Sequence, residues 1–554
     1  MNNSTRYTFL KSRSGETVPA IILPNNNTQP LHSMIDPVRE AERLVSTITN
    51  EIGFLIILGL GGGFIPQAAL KLTNARVIVV DYNKDSITEL LNSIDYSRLI
   101  KNNRFTLLAD PSNEEIKNYI LENYKPSLYG GIKIIPLRTR TEYDKEKFEN
   151  TAAIIQESIE IVSGDYSVQS SFGLRWFSNI IRNIRHADAY ADTFADIFNN
   201  KYLTKKTTLP IRKAAIVAAG PSLDHQLSFL AELKSQNTFI ISTDTALGVL
   251  LYNKINPDAV VSIDCQFISY YHFMGNNLPD GIPLILDIAS TPLLADISTL
   301  PVFFSSGHPL ALYIKNYWLP FIQLDTSGGN VTYACLSLAE ILGVQHITLF
   351  GADFSYINSQ TYARGTYIYP YFGKKQNRLS PVESQNSALL YRNPFLPREK
   401  KGNINYYETS FLRFYRKNLE NKAAKMESVI TSAPGYGAPV NLTNSGIVNS
   451  AECGKWSDLK AGTQNRERKI FLSGEKFLEQ YCSDIAGLPE AGSTDDYIMK
   501  LNDKNRQIFT TLLPLAAAIK RRNGKLNQND LIEEVKRYSM EKITCVLDNK
   551  PIKK

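Results

Sequence analysis

Short apolar runs that recur between helical stretches are the feature that most constrains the fold of this chain. Six such runs lie between residues 213 and 350. They cover residues 214–218, 239–242, 259–263, 284–288, 302–304 and 347–350. Strands that alternate with helices predict a mainly parallel sheet, because each connection crosses back over the sheet before the next strand starts. The sequence therefore predicts a central α/β domain over residues 206–374.

A second α/β unit is predicted over residues 1–146. The run FLIIL at residues 54–58 is followed by GLGGG at residues 59–63 and by VIVV at residues 77–80. Strand, glycine turn, helix and strand are typical of the start of a Rossmann-like domain, with Asp81 at the end of the second strand. The pattern fits a site for a dinucleotide or S-adenosylmethionine, and it equally fits a scaffold whose turn requires glycine.

The rest of the chain lacks this alternation. Residues 147–205 have helical periodicity and predict a helical connector, whereas the polar, proline-containing residues 375–405 predict a lid or loop. Residues 406–554 predict an all-helical C-terminal domain, with helices over 408–428, 466–481, 497–522 and 528–542 and a loop over 431–454. The predicted fold class is α/β: a Rossmann-like N-terminal domain, a central Rossmann-type domain and a helical C-terminal domain.

Composition excludes several classes of protein. Of 554 residues, 43% are hydrophobic and 21% charged, which is ordinary globular composition and not that of a disordered, collagen-like or coiled-coil chain. A net charge of +7 is too small to indicate nucleic-acid binding. Five scattered cysteines indicate neither a disulfide framework nor a metal site. Residues 1–13 lack the apolar core of a secretory signal, so we expect a cytoplasmic protein without a membrane span.

The first strand of the central domain is followed by a glycine motif, Gly220-Pro221-Ser222. Gly220 permits a tight turn, Pro221 suits the first turn of a helix, and Ser222 can cap that helix or donate to a ligand. Asp244 and Asp264 follow the next two strands. Since ligands of open α/β sheets bind at the carboxyl ends of strands, the motif predicts either an anion site or a plain capped turn.

Two further segments fall on the same predicted edge. The segment Ser327-Gly328-Gly329-Asn330 precedes a helix predicted over residues 332–342, and its backbone amides can surround phosphate or ribose oxygens. After the strand at residues 347–350 come Asp353, Tyr356 and Tyr362. The two phenols can donate to a phosphate leaving group, or they are surface residues in a chain with 29 tyrosines.

These motifs carry a resemblance to known proteins. Residues 215–266, which contain AAGPSL and both aspartates, resemble the domain shared by motility-associated factor (Maf) glycosyltransferases and an archaeal hydroxymethylpterin pyrophosphokinase. The segment SGGNVTYACLSLAEILGVQHITLFGADFSY at residues 327–356 looks like the corresponding part of Maf proteins. It is also similar to bacterial sialyltransferases that use CMP-sialic acid.

The resemblance implies a cytoplasmic glycosyltransferase of flagellin. Its donor would be a CMP-activated nonulosonic acid, of pseudaminic or legionaminic type, and its acceptors would be serine or threonine hydroxyls of flagellin. It would require no cofactor beyond the donor, and the absence of a D-x-D motif favours transfer without a metal. Residues implied to bind the donor nucleotide are Gly220, Pro221, Ser222, Asp244, Ser327, Gly328, Gly329 and Asn330. Tyr356 and Tyr362 resemble the tyrosines that stabilise the departing phosphate.

The general base is the point at which the chain departs from that pattern. The sialyltransferases use a histidine in the lid, but this chain has no histidine after His346. His308, Asp264 and Asp353 therefore remain as candidates. Two alternative functions also remain. One is a pterin pyrophosphokinase, which would need ATP and Mg²⁺, and the other is a flagellin-binding protein without catalytic activity.

Overall fold

The chain divides into two units that are not continuous in sequence. A computed structural model describes residues 6–189, 211–275, 277–374, 376–393, 396–443, 445, 472–492 and 496–548. One unit comprises Met1–Leu174 with Ser483–Glu541, and the other comprises Arg175–Cys482 with Lys542–Lys554. This grouping differs from the five predicted segments, because residues of the predicted C-terminal domain belong to both units. Part of the predicted connector, residues 190–205, lies outside the described residues.

The first unit is built on a parallel four-stranded sheet. Its strands are β4 (Ile52–Leu58), β5 (Arg76–Asp81), β6 (Phe105–Ala109) and β7 (Gly131–Pro136), in the order β6-β5-β4-β7. Strands β4 and β5 were predicted, because both contain apolar runs that are buried on both faces. A small antiparallel sheet of β1 (Tyr7–Lys11), β2 (Thr17–Ile22) and β3 (Thr28–Pro30) was not predicted.

Helices surround this sheet and include the C-terminal ones. Those before the long helix are Pro37–Val45, Phe64–Leu72, Lys84–Ser93, Ser97–Ile100, Asn113–Asn123, Pro126–Tyr129 and Arg138–Tyr143. Tyr497–Lys500 and Asp503–Arg522 also belong to the first unit, while Lys145–Ala189, Gly474–Ala486 and Gln528–Leu547 contain residues of both. Asp496 caps the helix Tyr497–Lys500, and its carboxylate accepts a hydrogen bond from buried Tyr129 and lies 3.6 Å from buried Arg76.

The second unit is built on a parallel seven-stranded sheet. Its strands are β8 (Lys213–Val217), β9 (Phe239–Thr243), β10 (Ala259–Ser262), β11 (Leu284–Asp287), β12 (Pro301–Phe304), β13 (His346–Phe350) and β17 (Val429–Ser432). The order is β12-β11-β10-β9-β8-β13-β17. The six predicted strands of the central domain are confirmed, because fully buried parallel strands appear in the sequence as apolar runs.

Strand β17 corrects the prediction that the C-terminal domain, residues 406–554, contains only helices and loops. Val429–Ser432 pairs with β13 at the edge of the sheet, although it lies in the predicted C-terminal helical domain. Its four residues, VITS, are mostly exposed, so they lack the apolar run that identifies the central strands. Only the pairing with β13, about eighty residues earlier in the chain, defines this segment as a strand.

The remaining elements of the second unit lie between or after these strands. Its helices are Leu223–Ser235, Asp244–Tyr252, Ile268–Tyr271, Leu293–Ile297, Pro309–Tyr317, Val331–Ile341, Ile368–Gly373, Val382–Leu390 and Ser410–Ala423. Strands β14 (Tyr356–Ile357), β15 (Arg398–Lys401) and β16 (Ile404–Tyr407) form a small antiparallel sheet. The segment predicted as a lid or loop therefore contains the helix Val382–Leu390 and the strand β15, which its polar composition did not indicate.

Candidate functional site

The order of the seven strands reverses between β8 and β13. The strands from β8 to β12 extend to one side, whereas β13 and β17 extend to the other. In open α/β sheets such a reversal leaves a crevice at the carboxyl ends of the two strands, and ligands bind there. The Gly220 turn follows β8, and Gly351 follows β13. The two turns contact each other directly, since the Gly220 amide donates to the Gly351 carbonyl at 2.9 Å.

Gly220 is required by this close approach. A Cβ atom at this position would lie 2.3 Å from the Gly351 oxygen and 2.4 Å from Asp353 Oδ2. Both distances are far below van der Waals contact, and one of the atoms belongs to the backbone. The turn therefore packs against the end of β13 only when residue 220 has no side chain.

Asp353, predicted to be catalytic, and Ser222, predicted to bind the nucleotide, are joined by a hydrogen bond. The Ser222 amide donates to Asp353 Oδ2 at 2.8 Å. Ser222 Oγ accepts a hydrogen bond from the Tyr436 amide at 2.9 Å. Both side chains are buried, and burial raises the pKa of Asp353 against the effect of its hydrogen bonds. We infer that Asp353 holds the glycine turn and the loop after β17 in place.

Asp244 links the ends of two neighbouring strands. Its Oδ2 atom accepts a hydrogen bond from Ser262 Oγ at 2.7 Å, at the end of β10. Its Oδ1 atom accepts from the amide and the hydroxyl of Thr245, at 2.6 Å and 3.0 Å. Thr243 accepts from the Ala246 amide and caps the helix that begins at Asp244. The buried carboxylate is thus fixed at the sheet edge where the sequence predicted it.

Asp264 lies at the same edge and is more exposed. Its Oδ1 atom accepts a hydrogen bond from the Gln266 amide at 2.9 Å. Its pKa is raised, first by burial and also by the negative charge of Asp244, while His272 opposes the shift. The two predicted carboxylates are therefore close enough to influence one another. Asp264 holds a proton more strongly than an ordinary aspartate does.

Four tyrosines lie close to one another here, and three of them, Tyr362, Tyr367 and Tyr415, also interact with the carboxylate pair. Burial raises the pKa of Tyr356, Tyr362, Tyr367 and Tyr415, and in Tyr362 the other three phenols and Asp244 add to the shift. All four therefore keep their protons at neutral pH and can donate hydrogen bonds. The structure brings the predicted pair Tyr356 and Tyr362 together. It also adds Tyr415, which the sequence analysis missed because it lies in a helix of ordinary amphipathic pattern.

The segment Ser327–Asn330, called here the Ser327 loop, lies beside Tyr415. Gly329 has a positive φ of 75°, and a Cβ atom on it would lie 2.9 Å from the Tyr415 ring. The Ser327 amide donates to Asp325 Oδ1 at 3.0 Å, which fixes the start of the loop. Gly328 is buried and Ser327 is exposed. The two predicted nucleotide-binding residues thus differ in how accessible they are to a ligand.

Asn330 acts as the cap of the helix Val331–Ile341. Its Oδ1 atom accepts a hydrogen bond from the Tyr333 amide at 3.0 Å. We expect Asn330→Ala to lower the free energy of unfolding by about 1 kcal/mol, because that amide loses its acceptor. Asn330→Ser should keep most of the stability, since serine is also a good cap. Chemical denaturation of both variants is the measurement, and equal loss in both would contradict the capping role.

His272 is a site residue that the sequence analysis missed. It follows the helix Ile268–Tyr271, and its ring centroid lies 4.6 Å from that of Tyr367 at 78°. Its Nε2 atom is 3.4 Å from Thr245 Oγ1, and its buried Nδ1 atom has no hydrogen-bond partner among the described residues. The only sequence signal was its place in the connection that follows Asp264.

His308 lies elsewhere and has a different environment. Its Nδ1 atom accepts a hydrogen bond from the Leu310 amide at 3.2 Å and caps the helix Pro309–Tyr317. Its ring packs against Trp176 at 5.2 Å. Burial lowers the pKa of His308 to about 3, so the imidazole stays neutral at physiological pH. These contacts favour a structural role for His308.

Polar groups at the glycine turn of the first unit form hydrogen bonds with other groups of the protein. Asp81 is fully buried and accepts hydrogen bonds from the amides of Leu60 and Tyr82, at 2.8 Å and 2.7 Å. Arg140 Nε donates to the same carboxylate at 2.9 Å. His32 Nε2 accepts from the Gly62 amide at 2.9 Å. The acid and the amide that would bind ribose and phosphate are already paired, so these residues favour the scaffold interpretation over a cofactor site.

No metal cluster is present in the part of the chain that the structure describes. There, no group of three or more His, Cys, Asp or Glu side chains is arranged to hold a metal ion. The site at the sheet edge therefore consists of two carboxylates, one imidazole, four phenols and two glycine turns. This set can accept hydrogen bonds from sugar hydroxyls, donate them to a phosphate and accept a proton.

Comparisons with known proteins identify the central segment. Residues 178–359 match the family described as 6-hydroxymethylpterin diphosphokinase MptE-like. Two uncharacterized proteins of Treponema pallidum (strain Nichols) are 36% identical over 149 residues and 26% identical over 179 residues. These matches cover 26% and 32% of this chain and 52% and 80% of the relatives. The chain thus spans about half the length of the first relative.

The fold of the whole chain also has a solved counterpart. It is similar to the structure of MAf glycosyltransferase from Magnetospirillum magneticum AMB-1, with a TM-score of 0.56 and 14% identity. The match covers 99% of this chain and 93% of that one. The predicted resemblance is therefore confirmed for the central segment and for the fold.

Proposed function

We propose that this protein is a glycosyltransferase, because it combines an MptE-like central segment with a fold similar to that of a Maf glycosyltransferase. The reaction would transfer a nonulosonic acid, of pseudaminic or legionaminic type, from its CMP-activated form to serine or threonine hydroxyls of flagellin. The observation that supports this most directly is the group of carboxylates, phenols and glycine turns at the carboxyl edge of the seven-stranded sheet. Open α/β sheets bind their ligands at this edge.

The residues of the site suit the charge changes of such a transfer. The bond between the sugar and the CMP phosphate breaks, and negative charge develops on the departing phosphate. Tyr356 and Tyr362 keep their protons and can donate to that phosphate. Asp244 and Asp264 can accept hydrogen bonds from hydroxyls of the nucleotide or the sugar. In this proposal the segment Ser327–Asn330 also lies beside the phosphate.

The proposed reaction takes place in the cytoplasm. None of the helices in the described ranges is long and apolar enough to cross a membrane. Because flagellin would be modified before its export, we infer that the protein acts in the cytoplasm. The family description of the central segment supports one alternative, phosphoryl transfer from ATP to a pterin. This reaction would need Mg²⁺ held by carboxylates such as Asp244 and Asp264.

One assay separates these functions. The purified full-length chain is incubated with flagellin and a CMP-nonulosonate, and separately with a hydroxymethylpterin, ATP and Mg²⁺. The proposed function predicts CMP release together with an increase in the intact mass of flagellin by one sugar residue per site. AMP release with the pterin would support the pyrophosphokinase instead. Flagellin binding without either product would support a non-catalytic role.

A further inference from the structure

His272 is a polar side chain at the proposed site for which the resemblance gives no role. We propose that His272 Nδ1 is the general base that takes the proton from the acceptor hydroxyl. This inference rests on the proposed glycosyltransferase function and deepens it. It is supported by the hydrogen bonds of the ring, by the charges around it and by its position beside the tyrosines.

The hydrogen bonds of Thr245 determine which nitrogen of His272 is free. A threonine hydroxyl has one proton, and that of Thr245 is donated to Asp244 Oδ1 at 3.0 Å. The contact of 3.4 Å with His272 Nε2 therefore requires the imidazole to be the donor. The neutral ring then has its proton on Nε2 and a lone pair on Nδ1. Nδ1 is buried and has no hydrogen-bond partner among the described residues, and in this proposal the acceptor hydroxyl reaches it when the side chains that cover it move aside.

The charged groups near the ring are carboxylates. Two carboxylates approach it from different elements, Asp244 at the start of one helix and Asp264 after β10. His272 lowers the pKa of Asp264 against the larger effect of burial, which shows that the two groups interact. Tyr367 lies against the ring and, with its raised pKa, stays neutral.

The arrangement resembles the general form of an activated base. His272 Nε2 donates to the Thr245 hydroxyl, this hydroxyl donates to Asp244, and the proposal assigns the other ring nitrogen to the acceptor proton. In the transfer step the acceptor oxygen forms a bond to the anomeric carbon while its proton moves to Nδ1. The bond from that carbon to the phosphate oxygen breaks, and its electron pair leaves with CMP. Tyr356 and Tyr362 donate to the departing phosphate.

The other candidates for the base are less well placed. Asp353 Oδ2 is bonded to the Ser222 amide, and His308 Nδ1 is bonded to the Leu310 amide. Asp264 remains the real competitor, because burial raises its pKa and makes it a stronger base than an ordinary aspartate. The experiment must therefore separate His272 from Asp264.

The test compares His272→Gln with His346→Gln in the full-length chain. His346 is exposed at the amino end of β13, so its variant is a matched control at the opposite edge of the same sheet. We expect His272→Gln to lower kcat by about 10²–10⁴-fold while the KM for the donor changes little. The fall of kcat/KM on the acid side, which reports protonation of the base, should also disappear. His346→Gln should keep the parental rate and pH profile.

Thr245 provides a second variant that leaves the imidazole in place. Thr245→Val should lower kcat because the ring loses its hydroxyl partner, and Thr245→Ser should restore it. Binding of CMP, measured by calorimetry, shows whether each variant is folded. The proposal is overturned if His272→Gln keeps the parental kcat and the fall of kcat/KM at low pH. It is also overturned if this fall disappears in Asp264→Asn but not in His272→Gln. A parental enzyme that never releases CMP contradicts the proposed function itself.

Discussion

Arg140→Met is expected to destabilise the protein by about 3–5 kcal/mol, as judged from the first unfolding transition in denaturant. The guanidinium and the carboxylate of Asp81 are both almost completely buried, and Nε donates to Asp81 Oδ1 at 2.9 Å. Arg140 also donates to Asp144 and to the Tyr82 carbonyl. Removing it leaves a buried carboxylate without its counter-ion, and the cost of that unpaired charge is far larger than that of a surface pair.

The control for this prediction is an ion pair on the surface of the same unit. Lys145 and Glu149 lie 3.7 Å apart with both side chains mostly exposed. Lys145→Met should change the stability by less than about 1 kcal/mol. If Arg140→Met were no more destabilising than Lys145→Met, the pair would not be essential to the fold. The glycine turn would then be open again as a candidate cofactor site.

A Tyr356→Phe, Tyr362→Phe double variant is expected to lose about 10²–10³-fold in kcat on a CMP-nonulosonate. Both phenols keep their protons because burial raises their pKa, so both can donate to the phosphate as its charge develops. Donors that act on developing charge stabilise the transition state more than the bound substrate. The KM for the donor should therefore change little, and steady-state kinetics with measured CMP release test this.

Tyr252→Phe is the matched control for the tyrosine pair. Tyr252 is 80% exposed at the end of the helix that begins with Asp244, so the same chemical change there should not affect turnover. Phenylalanine keeps the ring that Tyr362 packs against its neighbours, so thermal melting of the double variant should stay near the parental value. Parental turnover in the double variant would reject the assignment of these phenols to the leaving group.

The sequence by itself determined most strands of the two parallel sheets, with β17 as an exception. Strands such as β5 and β9 are buried on both faces, so most of their side chains are apolar and form a signal that is visible without any knowledge of neighbours. The turns that follow them were also predictable, because a strand–glycine–helix connection at Gly220 has a local backbone requirement. Asp244 and Asp264 were placed at the sheet edge by the same local reasoning.

Other features depended on pairings between distant residues. Strand β17 is recognisable only by its pairing with β13, and Asp353 is understood only through the Ser222 amide, 131 residues earlier. Asp81 fits the sequence pattern of a ribose-binding acid, yet its oxygens are occupied by Arg140 and two amides. Local sequence reports burial and backbone conformation, but it does not specify which side chains will occupy a crevice.

His272 shows the same limit at the candidate site. No spacing or periodicity marks it, and His308 was a candidate only because the chain has no histidine after His346. Only the packed sheet edge brings His272 to Thr245 and Tyr367 and places His308 against Trp176. The sequence determined which types of residue end each strand. The tertiary structure decided which of them keep a free polar atom, because hydrogen-bond partners are assigned when distant segments pack together.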